Sequence, residues 1–371
     1  MSAKPHIAVD ARVLVDPPAG VGYYTRALLA HLAERGNLRL TALSHRSPLN
    51  CDALAAAGVT LETVASPLGF WWQQRSLPRR LRDGFDLLWS PVGTLPQSSP
   101  IPAVVTVHDL TPLLFPYWHS LRNRVTFKRQ LPATLRSAVQ IVAVSRATAG
   151  DLERRFPTTT GRITVVPPGI DADFVPGTSS QIAAIRRSLN AADGYVLFVG
   201  TLEPRKNLPR LLDAWQRLQD QLPDTVPLLV AGAKGWHSRG LRRRLGRAPG
   251  VRYLGRLSRP RLIEAFQGAT VFAYPSLYEG FGLPVAEAMA CGVPVVTSDC
   301  SSLPEVIGDC GLLVNPRDPK RLAAALERLL TDGELRSDLR TRALDRATSF
   351  SWERSAEQLE SVLLHAVEAP R

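Results

Sequence analysis

The sequence has no long apolar stretch. Its longest run without an Asp, Glu, Lys, Arg or His, residues 87–107, contains four prolines besides serine and glutamine. It therefore falls short of the roughly 20 apolar residues that a membrane-spanning helix needs. The amino-terminal residues also lack the apolar segment and cleavage site of a secretory signal peptide. We expect a cytoplasmic protein without a transmembrane segment.

Cysteine is scarce, with four residues in 371. Cys51, Cys291, Cys300 and Cys310 form no Cys-x-x-Cys pair, and none lies beside a histidine at the spacing of metal ligands. In a reducing cytoplasm such residues are free thiols. The sequence therefore predicts neither a disulfide framework nor a zinc site.

The sequence also lacks the motif of nicotinamide cofactor binding and the motifs of nucleic-acid binding. A nicotinamide-dependent oxidoreductase needs a Gly-x-Gly-x-x-Gly turn after its first strand, but Gly20 and Gly22 are followed by Thr25 where the third glycine should stand. No recognition helix, zinc finger or ribonucleoprotein motif accompanies the formal net charge of +12. We therefore discard an oxidoreductase and expect no nucleic-acid partner. The charge has two remaining interpretations, simple solubility and attraction to an anionic surface.

Short apolar runs that alternate with helical segments predict an α/β fold with doubly wound parallel sheets. This alternation of strands and helices is interrupted at 176–181, where Gly, Thr and Ser predict a linker, and it resumes after the linker. We therefore predict two domains, 1–178 and 179–349, because the chain is too long for one ordinary core. The predicted strands are 6–13, 38–44, 86–90, 103–108, 141–145, 164–167, 195–200, 227–231, 251–254, 270–274, 294–298 and 311–314.

The most specific motif spans residues 279–287. Glu279 precedes two glycines, and Pro284 suits the first turn of a helix. Glycines let the backbone approach a ligand, and the amides and dipole at a helix N-terminus favour phosphate oxygens. Glu287, one turn later, is expected to accept hydrogen bonds from ribose hydroxyls. The alternative, two solvated glutamates beside a turn, does not explain the ordered strand, glycines, proline and second glutamate.

Other candidate residues follow predicted strands. Arg205 and Lys206 lie between a strand and a helix and could neutralise a diphosphate; a solvent-exposed basic helix start is the alternative. His108 and Asp109 end a strand of the first domain, where a structural histidine is equally compatible with the pattern. Residues 18–22 predict a glycine-containing turn that either is simply tight or lets the chain approach a substrate.

Aromatic and basic residues cluster in the first domain. Trp and Arg on one helical segment are typical of a membrane interface, whereas tryptophans packed in the core and solvated arginines are the alternative. The aromatic residues are Phe70, Trp71 and Trp72, and the basic residues are Arg75, Arg79, Arg80, Arg82, Arg122, Arg124, Lys128, Arg129 and Arg136.

Three segments together resemble family 4 glycosyltransferases, which are retaining enzymes of the GT-B fold. They are the Glu-x7-Glu motif at 279–287, Pro-Arg-Lys-Asn at 204–207 and Val-Val-Pro-Pro-Gly-Ile-Asp at 165–171. The resemblance covers nearly the whole chain. It implies two Rossmann-like domains facing a cleft, an amino-terminal one for the acceptor and a carboxyl-terminal one for the donor. It also implies that a terminal helix at about 350–371 packs back on the first domain.

The resemblance assigns roles to these residues. It implies that Arg205 and Lys206 stabilise the leaving diphosphate. The family leaves the nucleophile open; because no carboxylate here is clearly placed for double displacement, we favour attack by the acceptor on the face from which the phosphate leaves. We expect no metal, since Arg205 and Lys206 supply the positive charge, and no cofactor. Thr201 stands where many relatives have an arginine, so phosphate binding should depend more on Arg205 and Lys206. The implied catalytic residues are His108, Glu279, Arg205 and Lys206. The implied donor contacts are Gly280, Phe281, Gly282, Leu283, Glu287, Gly232, Arg205 and Lys206, and the implied acceptor contacts are Gly20, Gly22 and Asp109.

The sequence of residues 200–207 resembles the corresponding segment of bacterial mannosyltransferases of surface-polysaccharide assembly. This implies a GDP-mannose donor, a saccharide acceptor carried on a lipid, and a peripheral position on the inner face of the plasma membrane. A UDP-sugar donor, a GT-B epimerase or phosphorylase, and a non-catalytic sugar-binding subunit are the alternatives. A phosphorylase would need a pyridoxal-binding lysine, for which the sequence offers no context.

Overall fold

The computed structural model describes residues 3–16, 20–66, 71–235 and 239–368. The chain divides into two compact units. Unit 1 comprises Met1–Gly169 with Ser351–Arg371, and unit 2 comprises Ile170–Phe350. The predicted boundary between 178 and 179 therefore falls inside unit 2.

Unit 1 is built on a seven-stranded parallel sheet of order β3-β2-β1-β4-β5-β6-β7. Its central strands are apolar and buried on both faces, as crossover helices require. The strands are β1 His6–Asp10, β2 Arg39–Ser44, β3 Thr60–Thr63, β4 Leu87–Ser90, β5 Ala103–Val107, β6 Gln140–Ala143 and β7 Ile163–Val165. The helices are Gly20–Arg35, Asp52–Ala56, Leu77–Arg80, Thr111–Leu114, Leu121–Ser137 and Arg146–Arg155, with shorter turns at Arg12–Leu14, Trp72–Ser76, Pro116–Trp118 and Pro157–Thr159.

The helix Trp352–Glu368 completes unit 1 from the far end of the chain. It buries Leu359 and Leu363 completely and packs against Gly20–Arg35. Glu360 accepts a hydrogen bond from Arg35 at 2.8 Å. The apolar face of the helix explains its place in unit 1, because that face would otherwise be exposed to water.

Unit 2 repeats the architecture with a six-stranded parallel sheet of order β10-β9-β8-β11-β12-β13. The strands are β8 Val196–Val199, β9 Leu228–Ala231, β10 Val251–Gly255, β11 Val271–Tyr274, β12 Val295–Ser298 and β13 Gly311–Val314. The helices are Ser179–Ser188, Leu208–Gln221, Arg239–Leu245, Arg259–Gly268, Leu283–Ala290, Leu303–Ile307, Pro319–Thr331 and Gly333–Ala347, with a short turn at Pro204–Lys206.

Two local predictions were wrong. The predicted turn at 18–22 is the start of a helix, since Gly20 and Gly22 lie in the first turn of Gly20–Arg35; Pro18 and Ala19 lie outside the described residues. The predicted linker at 176–181 contains a helix start instead. Thr178 accepts a hydrogen bond from the Gln181 amide and Gln181 bonds back to the Thr178 amide, and this capping box begins Ser179–Ser188.

In the part of the chain that the structure describes, no helix is both long and apolar enough to cross a bilayer. Cys51, Cys291 and Cys310 are buried thiols, and Cys300 is half-buried.

Candidate active site

The polar residues of the candidate site follow three neighbouring strands of unit 2. Strand β8 leads into 200–207, β11 into 275–282, and β12 into 299–302. Because these strands are parallel and adjacent, their carboxyl ends and the loops that follow lie at one edge of the sheet. That edge is where open parallel sheets bind ligands.

The Glu279 carboxylate lies at the centre of this loop cluster and is buried. Its Oε1 accepts hydrogen bonds from Lys206 Nζ at 2.7 Å, Ser276 Oγ at 2.6 Å and the Tyr274 hydroxyl at 2.9 Å. Its Oε2 is bound by Arg205 Nη1. Donors from two strand ends therefore fix the position of one carboxylate.

Two opposing effects set the charge of Glu279. Burial raises its pKa, but Arg205 and Lys206 outweigh burial and lower the pKa to about 2. Burial and the neighbouring Arg205 lower the pKa of Lys206, while Glu279 raises it. The buried Tyr274 hydroxyl, next to Glu279, has a pKa well above 10.0. Glu279 is thus ionised at neutral pH and cannot act there as a proton donor.

Arg205 also pairs with a second carboxylate. Its Nε lies 2.8 Å from Glu203 Oε1, and its Nη1 donates to the Tyr278 carbonyl at 3.3 Å. The formal charges of the two cations, Arg205 and Lys206, are therefore balanced by the two carboxylates, Glu203 and Glu279. The Arg205 side chain remains 22% exposed against 9% for Lys206, so Arg205 is the cation that can reach a ligand.

Small polar side chains tie the loops to one another. Asn207 adopts a left-handed conformation at the start of Leu208–Gln221, and its Nδ2 donates to the carbonyls of Pro275 and Pro316. Ser301 Oγ accepts the Glu279 amide at 2.9 Å, and Ser302 Oγ donates to the Glu279 carbonyl at 3.0 Å. The backbone around Glu279 is thereby held from two neighbouring loops.

The predicted glycine loop starts a helix as expected. Gly282 has φ of 108° at the N-cap of Leu283–Ala290, a conformation that L side chains rarely adopt. A Cβ there would also lie 2.8 Å from Leu303 Cδ2. Pro284 occupies the first turn. The segment therefore supplies the N-terminal end of a helix beside Glu279, and Gly280 and Phe281 are buried in it.

Glu287, on the same helix, lies in a second charged cluster. Its Oε1 is 3.3 Å from Arg259 Nη1, and Arg259 Nη2 donates to Asp171. Burial raises the pKa of Glu287 to about 7; Arg259 opposes this effect and Asp171 adds to it. Glu287 therefore changes charge near neutrality.

Gly232 follows strand β9 at the same edge. A Cβ on this residue would lie 1.9 Å from the Gly200 carbonyl oxygen. The close approach of two loops, rather than a ligand, therefore accounts for glycine here. Whether Gly232 contacts a donor stays a prediction.

The candidate residues of unit 1 lie around the ends of β1 and β5. His108 Nε2 lies 2.7 Å from the Pro91 carbonyl, which requires the proton on Nε2, and burial lowers the pKa of the ring. The Tyr24 ring meets it edge-on at 5.0 Å. Asp109 accepts hydrogen bonds from the Thr111 amide at 2.9 Å and from the Thr111 hydroxyl at 2.6 Å. His108 is therefore a neutral imidazole, and Asp109 has a structural partner.

Comparisons with known proteins agree with this architecture. The family model described as glycosyl transferases group 1 matches residues 181–346, and the model described as Glycosyltransferase Family 4 matches 18–174. O-antigen chain mannosyltransferase B of Escherichia coli is 33% identical over 261 residues, which are 69% of this chain and 68% of that protein. The chain belongs to glycosyltransferase family 4.

Two further comparisons define how far the likeness extends. The serotype-specific mannosyltransferase WbdA of Escherichia coli is 30% identical over 268 residues, which are 69% of this chain but 32% of WbdA. The structure of Anabaena HepE in complex with UDP and glucose has a TM-score of 0.76 and 20% identity, covering 98% of this chain and 100% of that one. That structural likeness shows the fold alone, which is GT-B, as predicted.

The structure of this glycosyltransferase brings together Arg205, Lys206 and Glu279, and it places Glu287 one turn along the adjoining helix. His108, Asp109, Gly20 and Gly22 belong to unit 1.

Sequence reasoning missed Glu203, Tyr274, Ser276 and Arg259. The first three lie within a few residues of the predicted motifs, whereas Arg259 carries no motif at all. Among the described residues, no group of three or more His, Cys, Asp or Glu could hold a metal ion.

The aromatic segment of unit 1 is split between core and surface. Trp72 is fully buried, whereas Trp71 is 43% exposed with the Arg75 guanidinium 4.4 Å from its ring centre. Phe70 lies outside the described residues. Arg80 pairs with Glu62 at 2.6 Å. The alternative of core packing therefore holds for Trp72 and not for Trp71.

Proposed function

We propose that this glycosyltransferase transfers mannose from GDP-mannose to a saccharide acceptor, carried on a lipid, in the assembly of a bacterial surface polysaccharide. The observation that carries the choice of sugar is the match to O-antigen chain mannosyltransferase B over 69% of the chain. The choice of base rests on the resemblance of residues 200–207 to bacterial mannosyltransferases. Use of a UDP-sugar as donor would contradict the choice of guanine as the base.

The donor occupies the loop cluster of unit 2 in this proposal. The helix N-terminus at Gly282 and the amides before it face the diphosphate and sugar, and Glu287 accepts hydrogen bonds from the ribose. Since Glu203 and Glu279 already balance the two cations, a diphosphate should draw the more exposed Arg205 away from Glu203. Lys206 then stays with Glu279.

The proposed chemistry retains the anomeric configuration by attack on the front face. The bond from the anomeric carbon to the phosphate oxygen breaks while the acceptor hydroxyl oxygen bonds to that carbon, and the departing phosphate oxygen takes the hydroxyl proton. Glu279 supports this scheme because it is ionised and its Oε1 accepts three hydrogen bonds. Such a carboxylate is suited to fixing charge and position rather than to donating a proton.

No metal is required in this scheme, because Arg205 supplies the positive charge opposite the leaving group and Lys206 fixes Glu279.

The acceptor is assigned to unit 1, with the neutral His108 as the residue nearest the reacting hydroxyl. Gly20 and Gly22 would act through the first turn of their helix rather than through a loop.

We further propose that unit 1 binds an anionic membrane surface through the segment 114–129. Leu121 is 70% exposed, Tyr117 67% and Val125 42%. The helix Leu121–Ser137 carries five basic residues and no acidic one. Exposed apolar side chains among exposed cations match a surface of anionic lipid headgroups over acyl chains. The surface is centred on this helix rather than on 70–82, where Trp72 is buried.

A panel of nucleotides tests the donor. GDP, UDP, ADP and TDP and their sugar conjugates are each added to the purified protein, and its melting temperature is measured. A ligand at 100 times its dissociation constant should add about 2.7 kcal/mol to the free energy of unfolding. Stabilisation by GDP and GDP-mannose alone supports the proposal. Stabilisation by UDP-sugars alone would show that the donor is a UDP-sugar instead of GDP-mannose. Stabilisation by none of the nucleotides favours a non-catalytic sugar-binding subunit.

A transfer assay then tests the chemistry. Incubation with GDP-mannose and an acceptor, followed by NMR of the product, reports the configuration at the anomeric carbon. A product with the donor's configuration supports retention, and an inverted product contradicts it. Donor turnover without acceptor would indicate an epimerase.

A further inference from the structure

Arg259 joins two carboxylates of unit 2 that no sequence motif connects. It is the first residue of Arg259–Gly268, and its two terminal nitrogens contact Glu287 and Asp171. Its guanidinium carbon also lies 4.5 Å from the ring centre of Phe174. The side chain is therefore held by two ion pairs and one aromatic ring.

The position of Arg259 is unfavourable for the helix itself. A cation in the first turn opposes the helix dipole, and Ser258 makes no side-chain capping hydrogen bond. Arginine is nevertheless suited to bridge two carboxylates, because its donors form a rigid planar fork. The bridge rather than helix stability accounts for arginine here.

The bridge acts on the charge and orientation of Glu287. Burial favours the protonated form of Glu287, Asp171 favours it further, and Arg259 favours the carboxylate. The thiol of Cys291, one turn later, has a pKa of about 12 and stays neutral. Arg340, on the packed helix Gly333–Ala347, donates to the Gly292 carbonyl instead. Arg259 is therefore the cation that opposes protonation of Glu287.

One oxygen of Glu287 remains available. In the described ranges, the side-chain hydrogen bond to Glu287 is made at Oε1, by Arg259. The Glu287 side chain is 12% exposed and the Arg259 side chain 25%. Oε2 is thus the oxygen that can receive hydroxyl groups from a ligand.

We propose that Arg259 is a positioning residue for the donor nucleotide: it holds Oε1 of Glu287 and thereby presents Oε2 to the ribose hydroxyls, while Asp171 fixes the guanidinium. This inference rests on the proposed function, in which Glu287 contacts the donor ribose. Arg259 itself touches the carboxylate and not the reacting atoms.

The test uses Arg259→Gln, with Arg261→Gln as a matched control on the same helix. Arg261 is 65% exposed and pairs only with its neighbour Glu264 among the described residues. Dissociation constants for GDP, 2′-deoxy-GDP and 3′-deoxy-GDP, and for the three corresponding uridine nucleotides, are measured by calorimetry between pH 6 and pH 9. The ionisation of the phosphates is common to all variants and cancels in the comparison.

Wild type should bind the ribonucleotide more tightly than at least one deoxy analogue. Arg259→Gln should weaken ribonucleotide binding about 10- to 100-fold at pH 7, the range for a hydrogen bond to a charged group. It should also lose discrimination between the ribo and deoxy forms. The defect should shrink as the pH rises towards 9, because a rising pH favours the carboxylate form of Glu287 even without Arg259, and Arg261→Gln should behave as wild type.

The outcomes separate the two proposals. Undiminished discrimination in Arg259→Gln overturns the positioning role while leaving the proposed function intact. A wild-type protein that binds neither guanosine nor uridine nucleotides overturns both. If Arg259→Gln does not fold, Arg259→Lys serves instead. It keeps the charge but not the fork, so discrimination should fall while the pH dependence stays close to that of wild type; unchanged discrimination would again overturn the inference.

Discussion

Lys206 and Glu279 form a buried ion pair, with Nζ 2.7 Å from Oε1, and the two residues come from loops after neighbouring strands. The side chains are 9% and 7% exposed. Removing one partner of such a pair leaves an uncompensated charge away from water, which is more costly than losing a surface pair. We therefore expect the pair to stabilise unit 2.

Glu279→Gln should lower the free energy of unfolding by about 3–5 kcal/mol, because Lys206 and Arg205 lose their shared counter-charge. Transfer should fall about 100- to 1,000-fold, the usual loss when a charge-stabilising group is removed. Urea unfolding and initial-rate assays measure the two effects. Glu264→Gln, which breaks an exposed pair with Arg261, is the control and should change unfolding by less than about 1 kcal/mol. Wild-type turnover in Glu279→Gln would remove this residue from the active site.

Arg205→Gln should weaken GDP binding about 10- to 100-fold, since a charge-assisted hydrogen bond to the diphosphate is lost. Calorimetric titration of GDP measures this. Arg210→Gln is the control, because Arg210 is exposed and pairs with Asp213. Equal affinities in the two variants would show that the diphosphate does not depend on Arg205.

The pKa of Glu279 predicts a specific sensitivity to acid. The folded-state pKa of about 2 lies below the ordinary value of 4.5, so ionised Glu279 contributes stability above pH 4.5 that is lost as the pH falls towards 2. The difference in unfolding free energy between wild type and Glu279→Gln should therefore narrow by roughly 3 kcal/mol over that interval. Urea titrations at pH 7, 4 and 3 test this. A difference that stays constant over this range would contradict the assigned pKa.

Gly232→Ala should destabilise unit 2 by about 1–3 kcal/mol or more, since its Cβ would approach the Gly200 carbonyl oxygen to 1.9 Å. Gly240→Ala is the matched control: nothing lies within 4 Å of its Cβ, and it stands in the helix Arg239–Leu245. Alanine there should be neutral or slightly stabilising. Melting temperatures of Gly232→Ala and Gly240→Ala are compared by thermal unfolding. Equal melting temperatures would show that the loops at Gly200 and Gly232 are not closely packed.

Arg124→Gln combined with Lys128→Gln should reduce binding to anionic vesicles roughly 25-fold, at about 1 kcal/mol for each basic residue near the surface. Sedimentation with phosphatidylserine-containing and purely zwitterionic vesicles measures this. Arg154→Gln with Arg155→Gln removes the same charge from two exposed arginines of the helix Arg146–Arg155 in unit 1. If both double variants lose binding equally, net charge alone attracts the protein and the 114–129 surface has no special role.

The parallel sheets were predictable because buried strands consist of short apolar runs, such as Val295–Ser298, that polar residues terminate. The strand Thr60–Thr63 was not, since it lies at the sheet edge and contains Glu62 and two threonines. Glycines at 20 and 22 suggested a turn, but helix packing of the following apolar face overrides that local preference.

In the candidate site, the motif 279–287 could be placed because its residue types follow each other in one segment. The network around Glu279 could not, because hydrogen bonds from Tyr274 and Ser276 depend on side-chain direction and not on spacing. Arg259 is the extreme case. Its partner Asp171 is 88 positions away, and in sequence it resembles any solvated arginine at the start of a helix.

The helix Trp352–Glu368 has a consequence for the order in which the protein is made. A methyl group on Gly169 would lie 2.3 Å from the Trp352 backbone nitrogen, so the last helix packs directly against the end of the first segment of unit 1. We therefore expect unit 1 to gain this last packing helix only after residue 368 has been synthesised, whereas unit 2, continuous from 170 to 350, can close earlier. Completion of the two units would then depart from the usual amino-terminal-first order of domain folding.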